Sequence, residues 1–592
     1  MGALLNDLAL GVGCSVTGRR WVWRQGEERT GLAIAQRLGV PELVGRLLAA
    51  RGVAMDDAAA FLDPTLRALM PDPSVLADMD AAAARLARAV QANETVAVFG
   101  DYDVDGACSA AVMILTLRTL GCPVLSHVPD RLTEGYGPNA PALRTLAAQG
   151  ATLIVCVDCG TAAAPALAAV AGLADVLVLD HHVSESGPPP VLATVNPNRL
   201  DDRSGLHGMC AAAVAFLAAV ATLRALRRAG HFATRPEPDL RHLLDLVALA
   251  TVCDVMPLTG LNRALVAQGL KVMARRARPG VAALLEIASA KDMPTAMTCG
   301  FALGPRINAA GRISEADLGL KLLLCDDPVQ ARAIAVTLDG LNRKRQDVEA
   351  SMLGLAHATA LGQAEAGRAV LLVHSADWHP GVVGIVAGRI KQRHNRPALV
   401  GALADGVVKG SGRSVAGIDL GAAVLEARRE GLLSTGGGHA MAAGFTLPVD
   451  RIEPFHAFLE ERLTAASLLP RTPDLRVEGA VAVPGATVEL AAQVARLAPF
   501  GAGNEEPVFV LPHARVVRAD RIGKDGMTLR VIVEGEGGGA RLKAMAFRAA
   551  DGPLGQALAA RGGPLHLAGQ LRAEEWNGAT TACFVLTDAA AA

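Results

Sequence analysis

Three aspartates stand at alternate positions directly after a short apolar run, and this arrangement limits what the surrounding chain can fold into. Asp101, Asp103 and Asp105 follow residues 95–99. The apolar run predicts a buried β-strand, and the apolar stretch at 107–120 predicts a helix after the acids. Acids crowded at the end of a strand repel one another unless a cation neutralises them, and hard oxygen ligands suit Mg²⁺ or Mn²⁺. The segment therefore indicates a divalent-cation site, with a solvated acidic turn as the alternative.

An apolar segment followed by Asp or His occurs three more times along the chain. These segments and the residues that end them are 151–157 with Asp158, 176–179 with Asp180, His181 and His182, and 243–253 with Asp254. Helical stretches separate the first three strands, at 107–120, 138–149 and 161–172. Alternating strands and helices predict an α/β fold with a doubly wound parallel sheet, whose ligands bind at the carboxyl ends of the strands. Four polar segment ends at one rim favour the cation site over the solvated turn.

These ordered motifs resemble those of the DHH phosphoesterase family. The matching residues are Asp103-Val104-Asp105, Asp158, Asp180-His181-His182 and Asp254. Further phrases are similar to those of the family's exonucleases specific for single-stranded DNA, at 100–106, 157–161, 254–258, 304–312, 436–444 and 499–504. The resemblance extends from about residue 40 to residue 590. It implies a DHH catalytic domain, a second α/β domain of the DHHA1 type joined to it by a long helix, and a C-terminal β-barrel of the OB type.

The chain is expected to divide into five regions. In order, they are an N-terminal helical element (1–90), the DHH catalytic domain (91–265), a helical connector (266–365), a DHHA1-type phosphate- and DNA-binding domain (366–468) and an OB-type single-strand-binding domain (470–590). One long helix at about 316–361 is expected to join the two halves. After about residue 470, short strands alternate with Gly-rich turns, a pattern typical of a small barrel that holds single strands.

Composition excludes some classes of protein and is neutral about others. The 57 Lys and Arg balance 58 Asp and Glu, for a net charge of −1. Whole-chain charge therefore gives no support to nucleic-acid binding, and any phosphate-binding surface must be local. The apolar residues do not gather into a run of about 20, so we expect no membrane span. Ten scattered cysteines fit reduced thiols and hence a cytoplasmic protein.

The resemblance, taken with the chemistry of the side chains, implies a site for two ions of Mn²⁺ or Mg²⁺. Asp158 and Asp254 are expected to bridge the ions, Asp103 to bind one of them, and Asp105 with His181 to bind the other. The softer imidazole ligand favours Mn²⁺ over Mg²⁺.

Three residues are expected to serve catalysis, namely Asp158, Asp180 and His182. A water shared by two ions has its pKa lowered toward neutrality, and Asp158 would lie between those ions. His182 is expected near the scissile phosphate, where it stabilises developing charge. Asp180 is expected to orient an imidazole N–H rather than to bind metal itself.

One position departs from the pattern of the family. Many DHH phosphoesterases have a histidine four residues before the first ligand Asp103, where this chain has Phe99. We therefore expect the first ion to have one protein ligand fewer. Asp101 either compensates for that loss or only stabilises the turn.

Phosphate binding is expected to come mainly from the second half of the chain. The candidate residues are Arg306, Asn308, Arg312, Ser411, Arg413 and His439. Arg413 with Ser411 is expected to hold the 5′ end, and the residues at 306–312 to contact nearby backbone phosphates. His439 ends a Gly-rich loop, and a short helix at 440–443 is expected to follow and present N–H groups. For each arginine an interdomain salt bridge is the alternative.

The resemblance implies 5′-to-3′ exonuclease action on single-stranded DNA, with release of 5′-mononucleotides, in DNA repair and recombination. The residues themselves indicate only metal-assisted phosphoester hydrolysis. Two alternatives remain open: a small-substrate phosphodiesterase of the same family, acting on oligoribonucleotides or cyclic dinucleotides, and a non-catalytic DNA-binding scaffold. The family also implies a monomer, with a single-strand-binding protein and a helicase as partners.

Overall fold

The computed structural model describes residues 8–24, 26–131, 133–184, 187–467, 472–560, 562–576 and 578–592, except for the side chains of 465–467 and 576. The first seven residues of the expected N-terminal element and residues 470–471 of the expected OB-type domain lie outside these ranges.

The strands and helices of the described residues are numbered in chain order. The strands are β1 (Arg20–Trp23), β2 (Val96–Phe99), β3 (Val124–His127), β4 (Leu153–Val157), β5 (Asp175–Leu179), β6 (Ala193–Val195), β7 (Leu371–Ser375), β8 (Ala398–Ala404), β9 (Val407–Arg413), β10 (Thr435–His439), β11 (Ala442–Pro448), β12 (Asp474–Val477), β13 (Gly479–Ala480), β14 (Phe509–Ile522), β15 (Thr528–Glu534), β16 (Arg541–Ala546), β17 (Leu565–Trp576) and β18 (Ala579–Ala591). The α-helices are α1 (Glu28–Leu38), α2 (Glu42–Ala50), α3 (Ala58–Leu62), α4 (Leu66–Leu69), α5 (Met79–Ala92), α6 (Val104–Thr119), α7 (Ala140–Ala148), α8 (Ala164–Leu167), α9 (Ala211–Arg228), α10 (Leu244–Cys253), α11 (Gly260–Ala274), α12 (Pro279–Ile287), α13 (Gly304–Ile313), α14 (Leu318–Leu324), α15 (Pro328–Glu365), α16 (Val383–His394), α17 (Leu420–Arg429), α18 (Ile452–Ser467), α19 (Val488–Ala495) and α20 (Pro553–Ala560).

The catalytic half is built on a five-stranded sheet in the order β3–β2–β4–β5–β6, and every pairing in it is parallel. Successive side chains of β2 enter two cores, because Val96 and Val98 pack on one face and Ala97 and Phe99 on the other. This confirms the predicted doubly wound sheet. The strand order changes direction between β2 and β4, and ligands of such sheets bind at that point.

A 38-residue helix, α15, leads from the first half to the second. The predicted helix at 316–361 is instead divided into α14 and α15. The division falls at Asp327 and Pro328, since the Asp327 carboxylate caps the new helix by accepting the N–H of Val329 at 2.8 Å. Proline at the first helical position lacks the N–H that would be left unpaired there.

The second α/β domain has the strand order β10–β11–β9–β8–β7, with only β7 and β8 parallel. The short helix predicted after His439 is wrong, because β10 and β11 form an antiparallel hairpin there. Glycine makes this close pairing possible: a Cβ on Gly438 would lie 2.4 Å from the carbonyl oxygen of Ala442.

The C-terminal domain is a β domain of the OB type. Its pairings run β14–β15–β16–β18–β17, and β14 also pairs with β17. The N-terminal element belongs to the same body: β1 pairs with β12, and α1 and α2 share the core of this domain. The buried carboxylate of Asp588 accepts hydrogen bonds from Ser15 at 2.6 Å and from the Trp21 indole at 2.9 Å. Among the helices described, none is long and apolar enough to cross a membrane.

Candidate metal centre

The first acidic motif joins the end of β2 to the start of α6. The Asp103 carboxylate caps α6 by accepting the N–H of Gly106 at 3.0 Å. Two residues later, the buried Asp105 carboxylate accepts the N–H groups of Ala211 at 2.7 Å and Ala212 at 2.8 Å. These groups begin α9, so the positive end of that helix stabilises the ionised carboxylate. Asp105 is therefore fixed in place by a helix distant in sequence.

Asp158 follows β4 and adopts the left-handed backbone conformation, with φ of 60°. A non-glycine residue in this region costs about 1 kcal/mol or more, and such strain is concentrated at functional sites. Its side chain is 2% exposed, and Oδ1 lies 3.3 Å from Nε2 of His181 and 3.8 Å from Nδ1 of His182. The backbone of Asp158 thus directs an acid into the centre of the rim.

Asp180 holds the two histidines that follow it. Its carboxylate accepts the N–H of His181 at 2.7 Å and lies 2.8 Å from Nδ1 of His182. The hydroxyl of Thr161 donates to the other carboxylate oxygen at 2.7 Å. Both oxygens of Asp180 are thus engaged in hydrogen bonds, as an orienting role for this residue would require.

Asp254 is the C-terminal cap of α10, and the next residue, Val255, is left-handed with φ of 59°. Oδ2 of Asp254 lies 3.5 Å from Nε2 of His181, and the same imidazole nitrogen lies 3.7 Å from Oδ2 of Asp105. His181 therefore stands among carboxylates from the first turn of α6, the end of β4 and the end of α10.

The ligand atoms form overlapping groups, within each of which all atoms lie within 4.8 Å of one another. The groups are Asp105, His181 and Asp254; Asp101, Asp103 and Asp158; and Asp158, His181 and His182. The structure thus brings together the five predicted metal ligands. Asp158 belongs to two of these groups, as a residue between two ions would, whereas Asp254 belongs only to the group with Asp105 and His181. Asp101 lies in the group that contains Asp103, the acid four residues after Phe99.

Three buried carboxylate oxygens in this centre have no hydrogen-bond partner among the described residues. They are Oδ1 of Asp101, Oδ1 of Asp158 and Oδ2 of Asp254. A buried, unpaired charge is costly unless it coordinates a metal. Oxygen donors with one or two imidazoles suit Mn²⁺ and Mg²⁺, so the residues present fit the two cations.

The crowding of the acids changes their protonation. Burial and the neighbouring Asp103 raise the pKa of Asp101 to about 8, and burial with Asp105 and Asp103 raises the pKa of Asp254 to about 8. Burial and the adjacent acids also raise the pKa of Asp158 well above its usual range. Divalent cations neutralise this repulsion, so cation binding and proton release are coupled here.

Burial disfavours the protonated form of His182, but the hydrogen bond to Asp180, together with the charges of Asp180, Asp254 and Asp105, outweighs burial and raises the pKa of His182 to about 9. Burial alone would raise the pKa of Asp180. Its hydrogen bonds from His182 and Thr161 lower the pKa by more, so the pKa lies below its usual range. His182, whose side chain is 40% exposed, is therefore a hydrogen-bond donor open to a ligand.

A cluster of three arginines faces this centre: Arg131 lies in the loop after β3, Arg312 in α13 and Arg413 at the end of β9. Burial and Arg131 lower the pKa of Arg312 to about 10, and burial with Arg131 also lowers the pKa of Arg413. Arg312 donates to the carbonyl of Gly381 at 2.8 Å and Arg413 to the hydroxyl of Ser411 at 2.7 Å. Within the described residues none of the three is ion-paired with a carboxylate. The cluster is thus suited to an anion.

The other predicted phosphate ligands lie elsewhere or are already engaged. Arg306 is ion-paired with Asp339 of α15 at 2.9 Å. The side-chain oxygen of Asn308 accepts the N–H of Val104 at 3.2 Å and so supports the first acidic motif. His439 is exposed at the end of β10, two strands from Arg413 and so about 10 Å away.

Sequence reasoning missed two residues of the site, Arg131 and Tyr136. The hydroxyl of Tyr136 donates to the carbonyl oxygen of Asp158 at 3.1 Å and lies 3.2 Å from Nδ1 of His182. The guanidinium of Arg131 lies 5.2 Å from the ring centre of Tyr102. Both belong to the loop after β3. Because β3 is only half-buried, its sequence lacks the apolar run that would have predicted a strand before that loop.

Comparison with known protein families matches three parts of the chain. The models are the DHH family N-terminal domain over residues 95–251, the DHHA1 domain over residues 367–465 and the RecJ OB domain over residues 477–588.

Whole-chain relatives agree with these matches. The single-stranded-DNA-specific exonuclease RecJ of Dickeya dadantii is 39% identical over 531 residues, covering 86% of this chain and 89% of that protein. The Escherichia coli RecJ is 37% identical, with the same two shares. The crystal structure of Thermus thermophilus RecJ in complex with Mn²⁺ has a TM-score of 0.78 at 30% identity, covering 95% of this chain and 78% of that one. The resemblance inferred from the motifs is confirmed, and the chain belongs to the RecJ family of DHH phosphoesterases.

Proposed function

We propose that this chain is a 5′-to-3′ exonuclease that hydrolyses single-stranded DNA to 5′-mononucleotides with two divalent cations, in DNA repair and recombination. The observation that carries the proposal is the meeting of unpaired oxygens from Asp101, Asp158 and Asp254 at one rim of the sheet. Relatives named for single-stranded-DNA-specific exonuclease activity support it, and so do RecJ structures in complex with Mn²⁺ and with Mg²⁺.

The protein side chains prepare the phosphodiester for hydrolysis. Asp103, Asp105, Asp158, His181 and Asp254, joined by Asp101, would hold the cations. Bound there, two divalent cations supply an activated water and neutralise charge on the phosphate. His182, held by Asp180, donates a hydrogen bond to a phosphate oxygen and stabilises the charge that develops on it.

The arginine cluster gives the reaction its polarity in this proposal. Arg413 with Ser411 holds the terminal 5′ phosphate, and Arg312 holds a neighbouring phosphate, since guanidinium groups bind such oxygens in pairs. The acids lie close to this cluster, since Asp103 and the adjacent Tyr102 both act to raise the pKa of Arg312, against the effect of burial. A 5′ end held beside the metal ligands presents the first internucleotide phosphate to them. Asn308 supports this path through its hydrogen bond to Val104, and the exposed His439 lies at its edge, whereas Arg306 is held by Asp339 and contacts no phosphate in this proposal.

The division of labour along the chain follows the five regions expected from the sequence, at 1–90, 91–265, 266–365, 366–468 and 470–590. In this division the OB-type domain holds the single strand beyond the cleavage site. A protein that needs unpaired strands benefits from a helicase to separate duplex, and from a single-strand-binding protein that keeps the strands apart. We therefore include these two partners, a monomeric state and a cytoplasmic location in the proposal.

In the decisive experiment, single-stranded DNA labelled at either the 5′ or the 3′ end is incubated with Mn²⁺ and either the unsubstituted chain or its Asp158→Ala variant. Immediate release of mononucleotide from the 5′ label, abolished in Asp158→Ala and absent on blunt duplex, is the expected result. Asp201→Ala is the matched control, because Asp201 is an exposed acid paired with Arg199 away from the centre. Turnover of dinucleotides without cleavage of long DNA would instead show a small-substrate phosphodiesterase. DNA binding without hydrolysis in any divalent metal would show a scaffold.

A further inference from the structure

Asp254 depends on its backbone for its position. Among the described residues its Oδ2 has no hydrogen-bond partner, in contrast to Asp105 and Asp180, which are fixed by N–H groups. It begins a short connection, residues 254–258, that leaves α10 through the left-handed Val255. We refer to residues 254–258 as the ligand loop. Whatever holds this loop determines where the Asp254 carboxylate points.

The ligand loop packs on a segment of the C-terminal domain, residues 499–504. The N–H of Leu258 donates to the carbonyl of Ala502 at 2.7 Å. A Cβ on Gly501 would lie 2.7 Å from Cδ1 of Leu258, and a Cβ on Gly503 would lie 3.0 Å from Cβ of Pro257. A side chain at position 503 would therefore press against the ring and backbone of Pro257, and one at position 501 against the side chain of Leu258. Gly503 is also left-handed, with φ of 69°.

The segment at 499–504 is itself firmly held. The buried amide of Asn504 donates to the carbonyls of Leu497 and Pro499, each at 2.9 Å, and its oxygen accepts from Arg51 at 3.0 Å. Backbone hydrogen bonds join Gly501 and Asn504 in both directions, at 3.0 and 3.1 Å. This network anchors the segment to the N-terminal element as well as to its own turn.

Arg263 of α11 joins the catalytic domain to this network. Its guanidinium donates to the carbonyl of Ala498 at 2.7 Å and to that of Phe61 at 2.8 Å, and it lies 3.8 Å from the ring centre of Phe61. The residue is 1% exposed, and its partners are neutral carbonyls. Because this buried cation is satisfied by the carbonyls of Phe61 and Ala498, it holds both backbone segments against α11. Helix α11 follows the ligand loop.

We propose that residues 499–504 are a positioning element of the metal centre: they hold the ligand loop and thereby set the affinity of the site that contains Asp254. The C-terminal domain then influences cation binding through the ligand loop, independently of any contact that it makes with DNA. This inference rests on the proposed function in one respect, the role of Asp254 as a metal ligand.

The test compares two glycine substitutions with the same backbone cost. Gly503→Ala places a methyl group against Pro257 at a φ of 69°, whereas Gly526→Ala, in the OB-type domain, has a φ of 63° and nothing within 4 Å of the new Cβ. Mn²⁺ binding to the full chain is measured by the electron paramagnetic resonance of free Mn²⁺. Binding of a long single strand is measured in EDTA, and turnover is measured on a 5′-phosphorylated dinucleotide.

We expect Gly503→Ala to weaken binding of Mn²⁺ at one site by about 10–100-fold, the range seen when residues behind metal ligands are changed. Dinucleotide turnover should need correspondingly more Mn²⁺, while DNA binding in EDTA should match that of Gly526→Ala. Equal Mn²⁺ affinity in the two variants would overturn the inference. So would a loss of DNA binding in Gly503→Ala with Mn²⁺ affinity unchanged, because the segment would then belong to the DNA grip.

Gly501→Ala provides a second reading of the same contact, through Leu258 and without a left-handed backbone, should Gly503→Ala fail to fold. The Mn²⁺ titration does not need nuclease activity. A chain that binds two Mn²⁺ and responds to Gly503→Ala, yet cleaves no DNA, would therefore contradict the proposed function and leave this inference standing.

Discussion

Oδ1 of Asp180 lies 2.8 Å from Nδ1 of His182 and also accepts the N–H of both His181 and His182. One carboxylate oxygen thus fixes the backbone and the imidazole of the residue that we place at the phosphate. Carboxylates behind a histidine fix its tautomer and raise its basicity. His182 owes its raised pKa to this contact.

Replacing Asp180 by Asn is expected to lower kcat by about 10–100-fold, because the amide cannot hold the imidazolium and its NH₂ group opposes the N–H of Thr161. Mn²⁺ affinity should change less than kcat, because in this proposal Asp180 is not a ligand and the side-chain oxygen of Asn can still accept the N–H of His181. Single-turnover cleavage of 5′-labelled DNA measures the first quantity and calorimetry the second. Asp175→Asn, at the other end of β5 and paired with Arg85, is the control. A large loss of Mn²⁺ affinity would mean that Asp180 acts on the metal site, as a ligand or through its hydrogen bond to His181, rather than through His182.

The hydroxyl of Tyr136 links the carbonyl of Asp158 to the ring of His182. Tyr136→Phe removes that link while the ring stays, and the residue is 55% exposed. We expect kcat to fall by about 5-fold with KM and melting temperature almost unchanged, because one hydrogen bond contributes about 1 kcal/mol. Steady-state kinetics beside a thermal melt separates the two effects. A change confined to KM would assign Tyr136 to substrate binding alone.

Arg413 and Arg306 allow a matched test of the phosphate contacts. Arg413→Ala should weaken binding of 5′-phosphorylated single strands and reduce the slope of log affinity against log salt by about 0.7, the share of one phosphate contact on single strands. Arg306→Ala should leave that slope unchanged, because Arg306 is paired with Asp339. Titrations in EDTA at several salt concentrations measure both. Equal slopes for the two variants would remove Arg413 from the phosphate site.

The residues that follow β2, β4 and β5 could be predicted because each strand is an uninterrupted apolar run, buried along its whole length or nearly so. β3 was missed for the opposite reason, since Ser126 and His127 interrupt its apolar pattern and its residues are only half-buried or exposed. The loop after it, with Arg131 and Tyr136, was lost as a result. Because the carboxyl ends of parallel strands lie at the same edge of a sheet, the meeting of these acids could be predicted without knowing their contacts.

Contacts between parts distant in sequence lay beyond prediction. The helix start that holds Asp105 is 106 residues away, and the Ala502 carbonyl that binds Leu258 belongs to another domain. Glycine also misled: residues 436–439 read as a phosphate loop before a helix, whereas they form a strand whose bare backbone allows the hairpin to pair closely. Asp101 had two roles open to it, and only the fold shows its unpaired oxygen beside Asp103 and Asp158.

The crowded acids predict that the metal-free chain loses stability as pH rises. A carboxyl whose pKa is higher in the folded state than in the unfolded state takes up protons on folding, so stability falls as pH rises between the two values. For Asp101 and Asp254 this window runs from 3.8 to about 8. His182, with its pKa raised from 6.5 to about 9, contributes stability that is also lost as pH rises through that value.

In EDTA, the melting temperature should therefore fall by several degrees between pH 6 and pH 9, whereas saturating Mn²⁺ should keep it nearly constant, because bound cations replace the protons and stabilise only the folded state. Asp101→Asn, which has the shape of the protonated acid, should flatten the curve in EDTA without abolishing the effect of Mn²⁺. Differential scanning calorimetry of both chains in matched buffers measures these curves. A flat curve for the unsubstituted chain in EDTA would mean that the acids are neutralised by protein groups, and the case for two cations at this rim would fail.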